Sequence, residues 1–274
     1  MGISETKLPN GMRVYYLREA EVPVLYEQVQ EYLRYGIELN PGDTLFDVGA
    51  NIGLFSLWAY ERCQRNLQIY AFEPIPEVFE ALKLNAQRLA PVTMKAFSFG
   101  LAQERKSVVF DYYPNATALS TAYPEGNQTR ATVEQAIKTA LANPDPREPF
   151  DIWLLRLFPS FIRSLLINYK LDELFQAKPV YCKMHRLSDV IRDHSVQQID
   201  LLKIDVERSE LDVLMGIEPQ DWCKIKQITI EVHDHSQRVD RVCELLKSHG
   251  FSKITIKQDP LLQGSDIFNL YAIR

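Results

Sequence analysis

A strand, a glycine-containing turn, a helix and a second strand follow one another closely, and this unit constrains the fold more than any other stretch. The apolar run Thr44–Val48 leads into the turn 49–53, a helix is expected over Leu54–Arg62, and Leu67–Phe72 predicts a second strand that ends at Glu73. Glycines in the turn allow a sharp bend and the close approach of a ligand, because no Cβ stands in the way. The start of the helix offers unpaired N–H groups to a negatively charged ligand group. The unit is therefore typical of the nucleoside-binding half of a doubly wound sheet.

The charges around the turn favour one class of nucleoside. A dinucleotide site uses Gly-x-Gly-x-x-Gly, whereas Ala50 and Asn51 follow Gly49 here. Asp47, in the strand before the turn, would repel a phosphate but suits the ammonium of an amino-acid moiety. Glu73, at the end of the second strand, is placed to accept hydrogen bonds from both hydroxyls of a ribose. S-adenosylmethionine (SAM) has that ammonium, a ribose and no phosphate, so we prefer it over NAD or FAD. A tight strand-to-helix connection without a ligand is the remaining alternative.

Three motifs resemble the FkbM family of SAM-dependent methyltransferases, namely Asp47–Gly53, Phe72-Glu73-Pro74 and Leu202–Glu207. Within that family the chain is most similar to the O-methyltransferase domains of polyketide and nonribosomal peptide assembly lines. Arg208 stands where the family has glycine after Asp-Val-Glu. The resemblance implies a Rossmann-like class I methyltransferase fold with SAM as cofactor. It also implies a hydroxyl substrate, either bound to an acyl or peptidyl carrier protein of a megasynthase or free as a small molecule.

Strands and helices alternate along most of the chain, which predicts an α/β fold with a mainly parallel sheet and a site at the carboxyl ends of its strands. Residues 1–274 are expected to form a single domain around a seven-stranded sheet, with antiparallel C-terminal strands as in SAM methyltransferases generally. Residues 1–40 are expected to form a cap segment, with a hairpin around Asn10-Gly11 and a helix over Pro23–Tyr35. The third strand is expected over Val92–Phe97, and the chain is expected to return to the sheet with a strand at Val180–Met184.

Residues 117–177 interrupt this alternation and predict a mostly helical insertion. A helix is expected over Ala131–Ala142, and Asp151–Asn168 is dense in apolar residues. Because long insertions in compact domains tend to be functional, we expect a lid over the site. A membrane-facing amphipathic helix is the alternative, with Arg156 and Arg163 at the lipid headgroups.

Composition narrows the choice of partners and location. Hydrophobic residues make up 46% of the chain and charged residues 24%, which is ordinary for a soluble protein. A net charge of −5 argues against nucleic acid as the main partner. The sequence shows no membrane-spanning run and no signal peptide, so a cytoplasmic location without membrane insertion is expected. The four cysteines are widely scattered and are expected to be reduced thiols.

The expected cofactor contacts lie at the carboxyl ends of the strands and in the cap segment. They are Tyr26, Asp47, Gly49, Asn51, Gly53, Glu73, Phe99 and Asp205. Tyr26 is assigned from the resemblance, because in the assembly-line domains the segment before the first core strand closes over the cofactor. Phe99 follows the third strand, where enzymes of this architecture wrap the adenine. Packing in the core is the alternative for both aromatic residues.

His233 and Glu207 are the expected catalytic pair. Methylation of a hydroxyl needs a base that removes the hydroxyl proton, and histidine suits this role near neutral pH. His233 ends the fifth parallel strand and Glu207 follows the fourth, and side chains at the ends of neighbouring strands can meet because strands lie about 4.8 Å apart. Glu207 would then hold one imidazole nitrogen while the other takes the proton. The resemblance implies the same pair, since Glu231-Val232-His233-Asp234 matches the pattern of the assembly-line enzymes.

Several alternatives to this chemistry stay open. His235 is a rival base. Asp205, Glu207, His233 and Asp234 offer hard ligands for a divalent ion, although no metal is expected, because nothing in the sequence calls for a substrate with vicinal hydroxyls. His233 at a strand end and Glu207 at a helix start also fit plain structural roles. A non-catalytic SAM-binding docking module is the alternative from a different functional class.

Overall fold

A computed structural model describes residues 2–89, 93–122, 126–143 and 150–274, and its centre is a seven-stranded sheet. The strands are β1 Ser4–Lys7, β2 Arg13–Tyr16, β3 Thr44–Val48, β4 Gln68–Phe72, β5 Met94–Phe97, β6 Gly100–Leu101, β7 Lys106–Tyr112, β8 Lys178–His185, β9 Ile199–Ile204, β10 Ile225–His233, β11 Lys253–Lys257 and β12 Ile267–Ile273. The helices are α1 Glu21–Gln28, α2 Leu54–Arg62, α3 Pro76–Ala86, α4 Gly126–Ala142, α5 Phe150–Leu155, α6 Ser160–Leu174, α7 Leu187–Asp193, α8 Glu210–Met215 and α9 Arg238–Ser248.

The strand order of the central sheet is β11-β12-β10-β9-β3-β4-β5. The pairs β10–β9, β9–β3, β3–β4 and β4–β5 are parallel, while β12 pairs antiparallel with both β10 and β11. This confirms the predicted α/β fold with a mainly parallel sheet and antiparallel C-terminal strands. Because β3 has β4 on one side and the much later β9 on the other, the sheet has a topological switch point at the end of β3.

Apolar side chains cover both faces of this sheet, because successive residues of a strand point to opposite sides. Leu45 and Ile69 pack into a cluster with residues of α2 and α3. Phe46 and Leu202 face the other way and pack with residues of α7, α8 and α9. Parallel strands buried on both faces are usually almost wholly apolar. Buried polar residues at the carboxyl ends of β3, β9 and β10 therefore call for an explanation.

Other predicted elements differ from the structure in two places. The strand expected at Val180–Met184 does not join the central sheet, because β8 lies in a separate three-stranded sheet with the order β6-β8-β7. In it β8 pairs antiparallel with β7, which lies on the other side of the insertion in sequence. The helix expected over Pro23–Tyr35 is shorter than predicted. α1 ends at Gln28, hydrogen bonds between residues three apart follow it as far as Glu31, and Tyr35 has a φ of 55°.

The remaining predictions of local structure are confirmed where they fall on described residues. The N-terminal hairpin is formed by β1 and β2. The predicted insertion contains α4, α5 and α6, so it is mostly helical. The strand expected over Val92–Phe97 begins outside the described residues and otherwise corresponds to β5. Within the described ranges, no helix has the length and apolar character needed to cross a membrane.

Gly49 lets the end of β3 touch the end of β9. Its φ is 74°, and a Cβ on Gly49 would lie 1.7 Å from the carbonyl oxygen of Asp205. The same two strands are joined by a hydrogen bond of 3.0 Å from the Asp205 N–H to the Val48 carbonyl. Gly53 has a φ of 84°, and its Cβ would lie 2.7 Å from Leu82. Neighbouring protein atoms and the left-handed φ therefore account for glycine at both positions, and the expected contact of these glycines with a ligand stays a prediction.

Gly49→Ala is expected to lower the free energy of unfolding by about 3 kcal/mol or more, because it adds a clash with fixed backbone to the cost of a left-handed residue. Gly264→Ala is the matched control, since Gly264 also has a φ of 84° but its Cβ would meet no atom within 4 Å. We expect a loss of about 1 kcal/mol there. Urea unfolding curves measure both losses, and equal losses would show that contact with β9 is not the reason for glycine at position 49.

Candidate active site

A cavity of about 1110 Å³ opens at the carboxyl ends of the central strands. It is bounded by the turn after β3, by α1, and by residues of α4, α5 and α6. Six of the residues predicted for the site line this cavity together, and they are Gly49, Asn51, Glu73, Asp205, Glu207 and His233. The fold therefore gathers most of the predicted residues from four separate strand ends into one place.

Glu73 is held at the end of β4 with both carboxylate oxygens in fixed positions. It is only 6% exposed. Its Oε1 accepts a hydrogen bond of 2.9 Å from the Ile75 N–H, and its Oε2 accepts one of 3.1 Å from the Asn51 N–H. Burial raises the pKa of Glu73 to about 7. Each oxygen keeps a further acceptor site, so the carboxylate fits the two hydroxyls of a ribose.

Lys203 is a buried lysine that balances the acidic groups of β3 and β9. Its Nζ lies 3.1 Å from Asp47 Oδ1 and 3.7 Å from Asp205 Oδ2, and it donates a hydrogen bond of 2.9 Å to the Gly49 carbonyl. Asp47 is fully buried and also accepts a hydrogen bond of 2.7 Å from Ser56 Oγ. Asp47 does not line the cavity. This corrects the expectation that Asp47 contacts the ammonium group of the cofactor, because the Asp47 carboxylate is buried and forms an ion pair with Lys203.

Two aromatic residues expected at the cofactor also lie outside the cavity lining. Tyr26 packs against the apolar core, and Phe99 stacks on the His185 ring with 4.1 Å between the ring centroids. Both therefore follow the core-packing alternative. The cap segment contributes Tyr32 instead, whose hydroxyl donates a hydrogen bond of 2.7 Å to Asp205 Oδ2 at the cavity wall. Sequence reasoning missed Tyr32 because it placed this residue on a continuous helix.

His233 lies between two carboxylates. Its Nε2 is 3.3 Å from Glu207 Oε2, and its Nδ1 is 3.3 Å from Glu210 Oε1. Glu210 is fully buried in the first turn of α8, and its second oxygen accepts a hydrogen bond of 3.1 Å from Arg238. The sequence predicted one carboxylate at this histidine and missed the second. The sequence does contain a sign of the second carboxylate. Glu210 follows Glu207 by three residues, a spacing that brings both side chains to the same side of the chain as it enters α8.

The two carboxylates determine the charge of the imidazole. Burial by itself lowers the pKa of His233, but Glu207 and Glu210 outweigh burial and raise this pKa to about 10. Burial raises the pKa of Glu207 to about 7, although His233 acts in the opposite direction. In the cofactor-free protein at neutral pH the ring is therefore an imidazolium, held at Nδ1 by the Glu210 carboxylate and at Nε2 by Glu207, which ionises with a pKa of about 7.

The turn after β9 holds Glu207 in a strained conformation. Glu207 has a φ of 47° and Arg208 a φ of 79°, and both values are unusual for residues with a side chain. Arg208 thus keeps a glycine-like conformation at the position where the resembling family has glycine. Its guanidinium is buried and lies 3.9 Å from Asp266. Thr121 Oγ1 donates a hydrogen bond of 2.6 Å to the Glu207 carbonyl, which fixes the turn from the side of the insertion.

Glu231 adds a third carboxylate beside the imidazole. It lines the cavity, and its carboxylate, that of Glu207 and a ring nitrogen of His233 each offer an atom within 4.8 Å of the others. Three such atoms are close enough to surround one cation. Asp234, expected to belong to such a group, instead accepts a hydrogen bond of 3.0 Å from the Val239 N–H at the start of α9. The structure thus brings together a different acidic set from the one predicted.

The wall opposite the sheet is apolar. It is formed by residues of the insertion, among them Val133, Ala136, Ile137, Leu154, Leu155, Phe158, Leu166, Ile167 and Leu174. One end of this wall is fixed to the cap segment by Glu21, which accepts hydrogen bonds of 2.6 Å and 2.9 Å from the N–H and Oγ1 of Thr117. The cavity is therefore lined by acidic residues at the strand ends and by apolar residues on the side of the insertion.

Comparisons with known proteins find matches along most of the chain. The family model described as the methyltransferase FkbM domain matches residues 47–253. The 31-O-demethyl-FK506 methyltransferase FkbM of Streptomyces tacrolimicus is 35% identical, and the match covers 99% of this chain and 97% of that protein. The AMB antimetabolite synthetase AmbE of Pseudomonas aeruginosa is also 35% identical over 98% of this chain, which spans only 12% of that protein. The solved methyltransferase FkbM of Methylobacillus flagellatus shares the fold, with a TM-score of 0.50, 14% identity and coverage of 90% of this chain and 50% of that chain.

The stability of the cofactor-free protein is expected to fall as the pH rises from about 5 to about 8. Native Glu73 and Glu207 keep their protons up to a pKa of about 7, whereas unfolded glutamates lose theirs near 4.5. His233 acts in the same direction above its unfolded value of 6.5, because its native pKa is about 10. The native state then binds more protons than the unfolded state, so stability decreases with pH. Urea unfolding across this range measures the slope.

Glu207→Gln should flatten this slope, because it removes one of the groups with a raised pKa. It also removes a charge that raises the pKa of His233. Glu244→Gln, at an exposed position on α9, is the matched control and should keep the wild-type slope. Stability that stays constant or rises over the same range would contradict the assigned charge states.

Proposed function

The chain belongs to the FkbM family of methyltransferases, its cofactor is S-adenosyl-L-methionine, and we propose that it methylates a hydroxyl of a polyketide or nonribosomal peptide intermediate. The observation that carries the choice of a hydroxyl is His233, a buried histidine that lines the cavity and has a carboxyl group 3.3 Å from each ring nitrogen. Two relatives are a methyltransferase for 31-O-demethyl-FK506 and an antimetabolite synthetase. They support an oxygen atom as the methyl acceptor and a role in the biosynthesis of natural products.

The residues of the cavity fit the cofactor. Glu73 offers its two oxygens to the ribose hydroxyls, and the acidic groups at the ends of β9 and β10 suit a molecule with positive charge. Lys203, the buried cation beside the turn, is already paired with Asp47 and Asp205, so it does not offer a free charge to a phosphate. The bound cofactor supplies an electrophilic methyl group, and everything else is done by side chains of this chain.

His233 serves as the general base in this proposal. A cation beside an imidazolium lowers its pKa, so the His233 ring would release its proton to solvent when the cofactor is bound. Glu210 holds Nδ1, and Nε2, which lies 3.3 Å from Glu207, is the nitrogen proposed to accept the hydroxyl proton. Glu207 lies at Nε2 beside the entering hydroxyl and helps to stabilise the imidazolium that forms again as the methyl is transferred. The two glutamates thus divide the role that the sequence assigned to Glu207 alone.

The insertion is proposed to act as a lid over the acceptor. Single small-molecule pockets span about 300–1,000 Å³, and the cavity of about 1110 Å³ is larger than that range. It therefore has room for the cofactor and part of a second molecule. The apolar residues of α4 and α6 suit an acyl or peptidyl chain, and we infer that a carrier protein of a megasynthase delivers it. We further propose that residues 1–274 act as one catalytic domain.

His233→Ala is expected to lower the rate of methyl transfer by about 10²–10⁴-fold, because general-base catalysis is lost. Affinity for SAM should stay within a few-fold, since Glu73 is untouched. The assay incubates the protein with SAM and a β-hydroxyacyl carrier protein and follows the added methyl group by mass spectrometry. His235→Ala is the matched control, because His235 is exposed and lies outside the cavity lining.

Unchanged turnover in His233→Ala would remove the base assignment. A parallel arm offers the same hydroxyacyl group as a free small thioester. Methylation of the free compound at the same kcat/KM as the carrier-bound one would remove the carrier protein from the proposal and leave the methyltransferase assignment in place.

Glu210→Gln tests whether Glu210 positions His233. It is expected to lower kcat about tenfold or more while leaving KM for SAM unchanged, and to move the acidic limb of the pH–rate profile to lower pH. The shift follows because a carboxylate beside an imidazole raises its pKa. Glu244→Gln is again the control. A Glu210 variant with reduced kcat but an unshifted profile would indicate a purely structural role.

A further inference from the structure

Glu231 stands out among the acidic groups at the His233 end of the cavity. It is 7% exposed, and it lines the cavity near the end of β10. Of the carboxyl groups that the structure describes at this end, it alone has neither a hydrogen-bond partner nor an ion-pair partner. We propose that Glu231 receives the sulfonium charge of the cofactor, so that the cavity binds SAM more tightly than S-adenosylhomocysteine, the product that has lost this charge.

The neighbouring positive charges are already paired with other carboxylates. Lys203 contacts Asp47 and Asp205, with 3.1 Å to the nearer oxygen. Arg238 donates to Glu210 at 3.1 Å. His233 lies between Glu207 and Glu210. Glu231 also interacts electrostatically with the phenol groups of Tyr32 and Tyr271. Both phenols are neutral, because their pKa values are raised above the ordinary value. Burial and the charge of Asp205 raise the pKa of Glu231 to about 8. A cation that binds beside Glu231 would lower this pKa and hold the carboxyl in its charged form.

The position of Glu231 in its strand makes an acidic residue there unusual. Ile230 and Val232 point to the opposite face of β10 and are fully buried in the apolar core. Glu231 points to the same face as His233, because side chains alternate along a strand. A buried carboxylate without a partner is strongly disfavoured, whereas a carboxylate that meets a cation is not. A cationic ligand in the cavity thus explains a residue that the fold alone does not.

The sulfonium is the cation that this position fits, an inference that rests on the proposed function. The methyl group has to be delivered to an oxygen held at His233, and Glu231 has an atom within 4.8 Å of that ring. The charge that carries the methyl group must therefore come close to Glu231. Glu73 takes the ribose at the end of β4, and β3 and β9 separate β4 from β10. Glu73 and Glu231 would then hold the cofactor at two points, its ribose and its sulfonium.

The test compares the binding of SAM and S-adenosylhomocysteine, which differ only in the methyl group and its charge. Isothermal titration calorimetry without acceptor substrate, in buffer with EDTA, gives both dissociation constants. The proteins are the wild type, Glu231→Gln, Glu231→Asp and the exposed control Glu244→Gln. Because no turnover is measured, the result does not depend on whether His233 acts as the base.

Glu231→Gln is expected to weaken SAM about tenfold, equivalent to about 1.4 kcal/mol, and to leave S-adenosylhomocysteine within twofold. Unchanged binding of the neutral product shows that the variant is folded. Glu231→Asp should retain most of the preference for SAM, and Glu244→Gln all of it. Equal weakening of both ligands, or of neither, would overturn the proposal. A preference that disappears in EDTA and returns with Mg²⁺ or Mn²⁺ would also overturn it, because the charge received would then be that of a divalent ion.

Discussion

Buried carboxyl groups crowd at the carboxyl ends of β3, β9 and β10, and the balance of their charges is the constraint on which the site depends. Lys203 balances the part next to the glycine turn, where it joins β3 to β9 through Asp47, Asp205 and the Gly49 carbonyl. Arg238 balances Glu210 behind the imidazole. Glu231 lines the cavity near the imidazole, and burial raises its pKa to about 8. We propose that the cationic methyl donor of the family holds this carboxyl in its charged form.

The same charges explain how one histidine can be held firmly and still act on a substrate. Between Glu207 and Glu210 the imidazole is charged, and its orientation is fixed from both sides. In the proposed mechanism a cation in the cavity shifts this balance toward the neutral ring, so that deprotonation of the acceptor depends on the presence of the methyl donor. Apolar residues of the insertion line the same cavity, which is why we propose that the insertion keeps water away from these charges.

The sequence predicted what depends on local pattern. Glu73 was predicted from the strand that it ends, and His233 and Glu207 from the positions of two strand ends, and all three line the cavity. The fate of Asp47 was not predictable in this way, because its partner Lys203 is remote in sequence and is recognised only once β3 and β9 lie side by side. Glu210 was missed because an acidic residue in the first turn of a helix has an adequate local explanation in the helix dipole.

The charge state of the His233 ring is the most direct measure of this account. Nitrogen-15 NMR of histidine-labelled protein near neutral pH distinguishes an imidazolium from the two neutral tautomers. We expect an imidazolium in the cofactor-free protein, and with SAM bound a shift toward the neutral ring that carries its proton on Nδ1. A ring that is neutral before the cofactor is added, or that keeps both protons unchanged when SAM is bound, would contradict it.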